Sequence, residues 1–239
     1  MTIKDLEQMI KASNYTVFFG GAGVSTESGL KDFRSKDGLY SEKFQDISPE
    51  QILSYSYFKN HPENFYTYYK EKFLSQKVKP NQAHYVLSTL EKKGKLQAII
   101  TQNIDNLHQL AGSKNVIELH GSVYRNYSIP SKRKYDGIEI ILNQKGIPYD
   151  AYGEMIRPDV TLYEESLKEE VILKAIKEIS QAELLIIGGT SLTVYPAASF
   201  IQYFKGKNLV AINRDHIGVK NFIKGNIGEV LGQLNLDEI

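Results

Sequence analysis

Leu96-Gln97-Ala98-Ile99-Ile100-Thr101-Gln102-Asn103-Ile104-Asp105, with Asn115-Val116-Ile117-Glu118-Leu119-His120-Gly121 shortly after it, decides the fold class of this chain. Residues 96–101 read as a buried strand and 104–111 as a short helix closed by Gly112. Residues 115–119 read as a second strand that delivers His120 at its carboxyl end. An amide pair, a carboxylate and an imidazole thus gather at two strand ends, where open α/β sheets bind ligands. Taken singly, each segment is equally well an ordinary turn with polar caps.

Outward from this unit the same rhythm recurs. A helix over 3–13 leads into a strand over 15–19 and then Gly20-Gly21-Ala22-Gly23. Ser48-Pro49 is an N-cap and first-turn pair. The tyrosine-rich helix over 63–74 carries aromatics on more than one face, which predicts packing on both sides. A capped helix over 81–93 ends at Gly94. Between residues 122 and 158 the helical period is lost, and Ile138-Glu139-Ile140-Ile141-Leu142 reads as a β-like piece of an inserted module. Helices over 168–179 and 196–204 then alternate with strands over 184–187 and 209–212. Such alternation predicts an α/β protein with a parallel, doubly wound sheet.

The bulk properties exclude several classes. Among 239 residues, 29 are basic and 28 acidic, a net of +1, so no global field draws nucleic acid or an anionic membrane. No apolar run approaches the ~20 residues of a membrane span, and residues 2–14 form a polar amphipathic helix rather than a signal peptide. The expectation is a cytoplasmic protein. With no cysteine, neither a disulfide scaffold nor a thiolate metal site is available.

Gly21-Ala22-Gly23 after a strand offers backbone N–H groups to a pyrophosphate, and a following helix would add its positive end. The common dinucleotide fingerprint is not met, because Thr26 stands where its last glycine belongs and no acidic residue ends a second strand about twenty residues on. A second loop, Gly188-Gly189-Thr190-Ser191, and a third strand end, Asn213-Arg214-Asp215, suggest one extended ligand across the sheet edge. Each alone is more readily a structural turn. Asp32-Phe33-Arg34-Ser35-Lys36-Asp37-Gly38-Leu39-Tyr40 reads as a loop that closes over a nucleotide with Arg34 near phosphate, or as a surface loop with one salt bridge.

As a set these motifs closely resemble the sirtuins, NAD-dependent protein lysine deacylases. The set is Gly21-Ala22-Gly23-Val24-Ser25, Ser28-Gly29, Asp32-Phe33-Arg34, Thr101-Gln102-Asn103-Ile104-Asp105-Asn106-Leu107-His108, His120-Gly121, Gly189-Thr190-Ser191-Leu192, Pro196-Ala197 and Asn213. The resemblance covers essentially the whole chain. It implies a Rossmann-like large domain (1–34, 76–121 and 158–239) and a small domain (35–75 and 122–157) made of a helical insertion and a normally zinc-binding β module.

It also implies roles. His120 would be the general base that deprotonates a ribose hydroxyl after loss of nicotinamide, with Asn103 and Asp105 as its catalytic companions. NAD would be held by Gly21, Ala22, Gly23, Ser25, Asp32, Phe33, Arg34, Gln102, Asn103, Ile104, Asp105, Gly189, Thr190, Ser191 and Asn213. An acylated-lysine protein or peptide would lie as an added strand against Arg157-Pro158-Asp159-Val160-Thr161-Leu162-Tyr163 and Val194-Tyr195, touching Val160, Leu162, Tyr163 and Val194. Tyr66 and Tyr69 are the nearest match to the acyl-reading pair of some members, and equally an ordinary core pair. With no cation at the second position, a neutral acyl group such as acetyl is expected. An ADP-ribosyltransferase or NAD glycohydrolase using the same pocket, and a non-catalytic NAD- or peptide-binding module, remain the alternatives.

Two departures stand out. Ser128, Ser131, Tyr149 and Tyr152 occupy the positions of the family's zinc cysteines, and four hydroxyls cannot make a tetrahedral thiolate site. No zinc is therefore expected. Because a buried tyrosine removes about 150–250 Å² from water, Tyr149 and Tyr152 are expected to form an apolar cluster in the metal's place. Glu164 replaces a glycine beside the predicted peptide groove, so its charge either favours basic peptides or hinders binding.

Overall fold

A computed structural model describes residues 1–31, 38, 44 and 46–239. In chain order its strands are β1 (Thr16–Gly20), β2 (Ala98–Thr101), β3 (Val116–Glu118), β4 (Gly121–Ser128), β5 (Lys134–Asp136), β6 (Ile156–Val160), β7 (Leu184–Gly188), β8 (Asn208–Asn213) and β9 (Asn221–Lys224). The helices are α1 (Ile3–Ala12), α2 (Pro49–Ile52), α3 (Tyr55–Asn60), α4 (Pro62–Tyr69), α5 (Gln82–Lys92), α6 (Leu107–Leu110), α7 (Glu139–Leu142), α8 (Glu169–Gln181) and α9 (Ile227–Leu231).

Six strands make one parallel sheet in the order β3-β2-β1-β7-β8-β9. Chain order reverses between β1 and β7, which opens a crevice at their carboxyl ends. Both faces of the sheet are covered, as all-parallel sheets require. Alternate strand residues divide between them. Phe18, Ile99, Ile186 and Ile212 pack under α1, α5 and α9, while Val17, Phe19, Ile100 and Ile187 pack under α8 and the 3-10 helix Ala197–Tyr203. This is the expected doubly wound α/β fold. Among the described residues, no helix is long and apolar enough to cross a membrane.

A second, antiparallel sheet in the order β5-β4-β6 joins helices α2 to α4 around one apolar cluster. Phe65, Tyr66, Tyr68 and Tyr69 of α4 are all buried there, so the aromatic helix does pack on more than one side. The Tyr66 hydroxyl donates to the Ile156 carbonyl of β6.

Four local expectations are corrected. Residues 138–142 form the helical turn α7 rather than a strand, because only Ile141 is fully buried and the neighbouring isoleucines lie along the cluster's edge. The helix after β2 starts at Leu107, since Asn106 is left-handed (φ 62°) and Asp105 caps the Leu107 N–H from outside. The glycine loop after β1 continues as two 3-10 turns, Ala22–Val24 and Thr26–Ser28, and among the described residues directly after them, through Lys31, no α-helix follows.

The fourth concerns the zinc positions. Tyr149 and Tyr152 are 46% and 74% exposed, so no apolar cluster forms. A polar network holds the module instead. The Asp150 carboxylate, out of contact with solvent, accepts from Arg133 and the Tyr135 hydroxyl at 2.7 Å, and from the Tyr152 and Glu154 N–H groups at 2.9 Å. Burial works to raise its pKa, but these donors prevail and hold it below the usual range. Ser128 and Ser131 share a hydrogen bond of 2.6 Å, Ser131 donates to Glu154, and the Arg133 guanidinium lies 3.9 Å over the Tyr152 ring. The four replaced positions offer hydroxyl oxygens already engaged with one another or phenols turned outward, a set that does not fit zinc.

Candidate active site

The glycines at the crevice bring two loops into contact. A Cβ on Gly23 would sit 2.8 Å from the Gly189 Cα and carbonyl oxygen, and Gly189 itself is left-handed (φ 58°). The Gly23 N–H donates to the Gly189 carbonyl at 2.8 Å. That amide is therefore spent on holding the two loops together, not presented to a ligand as the sequence suggested. Asn81, the N-cap of α5, secures the first loop from behind by donating to the Val24 carbonyl and Ser28 hydroxyl.

Above the joined loops lies a cavity of about 520 Å³, within the ~300–1,000 Å³ range of small-molecule sites. Of the candidate residues, Ala22, Gly23, Gln102, Asn103, Ile104, His120, Gly189, Thr190, Ser191 and Asn213 line it, as do Val160, Leu162, Tyr163, Val194 and Tyr69. Thr190 is the hub. Its hydroxyl meets the Gln102 amide at 3.1 Å, and its carbonyl accepts from the Asn213 side chain at 3.1 Å. Asp32, Phe33 and Arg34 lie outside the described residues.

His120 follows β3. Its Nδ1 pairs with the Gln102 carbonyl at 2.8 Å; since a carbonyl only accepts, that nitrogen carries the proton and Nε2 is the basic one. Burial lowers the His120 pKa below its ordinary 6.5, and the Gln102 carbonyl restores part of the shift. The ring is thus neutral near pH 7. On the far side, the His120 carbonyl accepts the Thr161 N–H, tying β6's exit to the same point.

Asn103, Ser25 and Asp105 form a chain beneath the cavity floor. Asn103 Nδ2 donates to the Ser25 hydroxyl at 3.0 Å, which donates to the Asp105 carboxylate at 2.6 Å. Burial pushes the Asp105 carboxyl up, and the Ser25, Leu107 and Asn103 contacts hold it back. Ser25, Asp105 and Gly21 stand behind the lining residues. Asp105 engages the cavity through Asn103, by way of Ser25.

On the opposite wall, Arg157 is buried and bidentate to Glu165 at 2.8 and 2.9 Å, with a further bond to the Val160 carbonyl. Tyr163 is paired with Leu53 and Tyr55 through its own N–H and carbonyl. The length of this segment left for an added peptide strand is accordingly shorter than expected. Tyr69 reaches the cavity with a buried hydroxyl that has no partner among the described residues, whereas Tyr66 is spent on Ile156. Lining residues absent from the sequence-derived set include Thr26, Leu53, Phe73, Gly225, Asn226 and Ile227. Gly225-Asn226 before an apolar run is the N-cap signal that could have found the last three.

Residues 21–196 match the model of the Sir2 family. The NAD-dependent protein deacetylase of Clostridium perfringens is 53% identical, over 97% of this chain and 98% of the relative. That of Clostridium acetobutylicum is 50% identical over 96% of each. Among solved structures, a Sir2 complex with a p53 peptide and NAD+ superposes with a TM-score of 0.85 at 36% identity, covering 98% of this chain and 97% of that one. A Sir2 bound to acetylated peptide gives 0.84 at 35% identity, with the same coverages.

Proposed function

This chain belongs to the Sir2 family, and from that premise we propose that it is an NAD-dependent protein lysine deacetylase acting on neutral acyl groups. The cavity suits NAD: its floor is two glycine loops pressed together, and its walls carry amides and hydroxyls from three strand ends. Ala22, Gly23, Gln102, Ile104, Gly189, Thr190, Ser191 and Asn213 would hold it. When bound, NAD supplies a ribose that releases nicotinamide and accepts the acyl group.

His120 takes the ribose hydroxyl proton on Nε2, and the Gln102 carbonyl keeps that tautomer in place. Asn103 orients the nicotinamide end, its amide fixed by Ser25 and, behind it, Asp105. The acyl-lysine enters between Val160, Leu162, Tyr163 and Val194. Residues 35–75 and 122–157 serve as the small domain, a division supported by the apolar cluster that α2 to α4 share with β4 and β6.

The observation that carries this reading is a tautomer-fixed histidine facing the same cavity as Asn103 and the Gly189-Thr190 loop. His120→Ala should cut acetyl-lysine turnover by roughly 10²–10⁴-fold while NAD affinity, measured by calorimetry, stays within a few-fold. Unchanged turnover would refute it.

A further inference from the structure

Glu164 stands at the cavity mouth, in the segment that follows β6. Its backbone is left-handed (φ 74°), a conformation that disfavours a residue bearing a Cβ. The neighbouring backbone leaves it little freedom. Tyr163 is paired on both sides, and the Glu165 N–H donates to the Leu162 carbonyl. The side chain crosses to α3, where its carboxylate accepts from the Ser56 N–H at 2.8 Å and the Ser56 hydroxyl at 2.9 Å.

Both of these donors are neutral. The adjacent Glu165 is balanced by Arg157, and none of the ion pairs among the described residues includes Glu164. Glu164 therefore presents to this part of the cavity lining a carboxylate with no cationic partner among the described residues. Tyr163 and Tyr195 line the cavity as well, with 40% and 76% of their surfaces exposed, and aromatic faces attract the same cations that a carboxylate does. An acylated lysine is itself uncharged, so the residues flanking it are what this charge can read.

We propose that Glu164 is a specificity-determining residue that selects acyl-lysine peptides with lysine or arginine close to the acylated position. This rests on the deacetylase reading above. One charge pair several Å apart at a solvent-exposed mouth changes affinity a few-fold, so exchanging Arg for Glu beside the acyl-lysine spans about 10-fold at low salt.

The test uses three acetyl-lysine peptides differing only in an adjacent Arg, Gln or Glu. Steady-state kinetics give kcat and KM, and fluorescence anisotropy gives peptide affinity independently of turnover. The native protein should prefer the Arg over the Glu peptide by about 10-fold, through KM, and lose the preference near 1 M salt, where the screening length is about 3 Å. In E164Q, whose amide oxygen still accepts the Ser56 N–H, the Arg-to-Glu ratio should fall towards one. A native ratio near one, a ratio that E164Q preserves, or an equal rise in KM for all three peptides would overturn the assignment. Binding with the expected preference but without turnover would support Glu164 and count against the deacetylase reading; turnover of all three without preference would do the reverse.

Discussion

Acid should unfold this protein through His84 and His108. Their rings lie 4.7 Å apart between α5 and α6, with Phe18 against His108, and both are buried. His84 Nδ1 accepts the Asn81 N–H in the capping box of α5, while His84 Nε2 and both ring nitrogens of His108 have no hydrogen-bond partner among the described residues. Burial lowers His84 from 6.5 to about 4; burial, then the neighbouring His84, lowers His108 from 6.5 to about 3. Because both folded-state values are depressed, the unfolded chain binds protons below pH 6.5 that the folded chain refuses. Stability is untouched above that pH and falls below it by about 1.4 kcal/mol per unit for each histidine. At about pH 5 the loss is roughly 2 kcal/mol each and about 4 together, out of a typical total of ~5–15. Urea unfolding at pH 7 and pH 5 measures it. His84→Gln, which keeps an acceptor for the Asn81 N–H, combined with His108→Phe should remove most of the difference. An equal loss in the double variant, or none in the parent, would refute the reasoning.

Other outcomes follow from the site and the small sheet. The acid limb of kcat/KM should be centred below pH 6.5, because burial, the larger influence, depresses His120; a limb centred above 6.5 would contradict His120 as the base. Ser25→Ala removes the hydroxyl that accepts from Asn103 Nδ2 and donates to Asp105; leaving these buried groups short of a partner should cost about 1–3 kcal/mol of stability, read as a lower Tm, and should lower kcat with little change in KM. Chelators should leave activity and Tm unchanged, whereas Asp150→Asn should speed hydrogen exchange in β4 to β6 and spare β1 and β2; a chelator-induced fall in Tm would show that a metal, not Asp150 and Arg133, holds the module.

What the sequence revealed tracks how strongly each segment is constrained. The strands carrying Phe18, Ile99 and Ile186 were legible because burial on both faces demands near-continuous apolar runs. His120 was legible as a polar residue ending such a run. Short, half-exposed elements were not: β9 has only Ile223 buried, and α7 is a β-branched run that one turn of helix absorbs. Gly21 and Gly23 were visible, yet their close approach to Thr190 and Gly189 depends on a loop more than 160 residues away. The zinc positions misled for a related reason. Ser128, Ser131, Tyr149 and Tyr152 could be matched to ligands, but Arg133, Tyr135, Asp150 and Glu154, which do the holding, lie between or just beyond them and are ordinary surface types by sequence. Asp150 becomes the centre only when four donors converge on its two oxygens.

The most direct measurement is product analysis by mass spectrometry after incubation with NAD and an acetyl-lysine peptide. The account predicts deacetylated peptide, nicotinamide and O-acetyl-ADP-ribose in equal amounts, with no nicotinamide released when the peptide lacks its acetyl group. Free ADP-ribose or ADP-ribosylated protein, formed irrespective of acetylation, would contradict it.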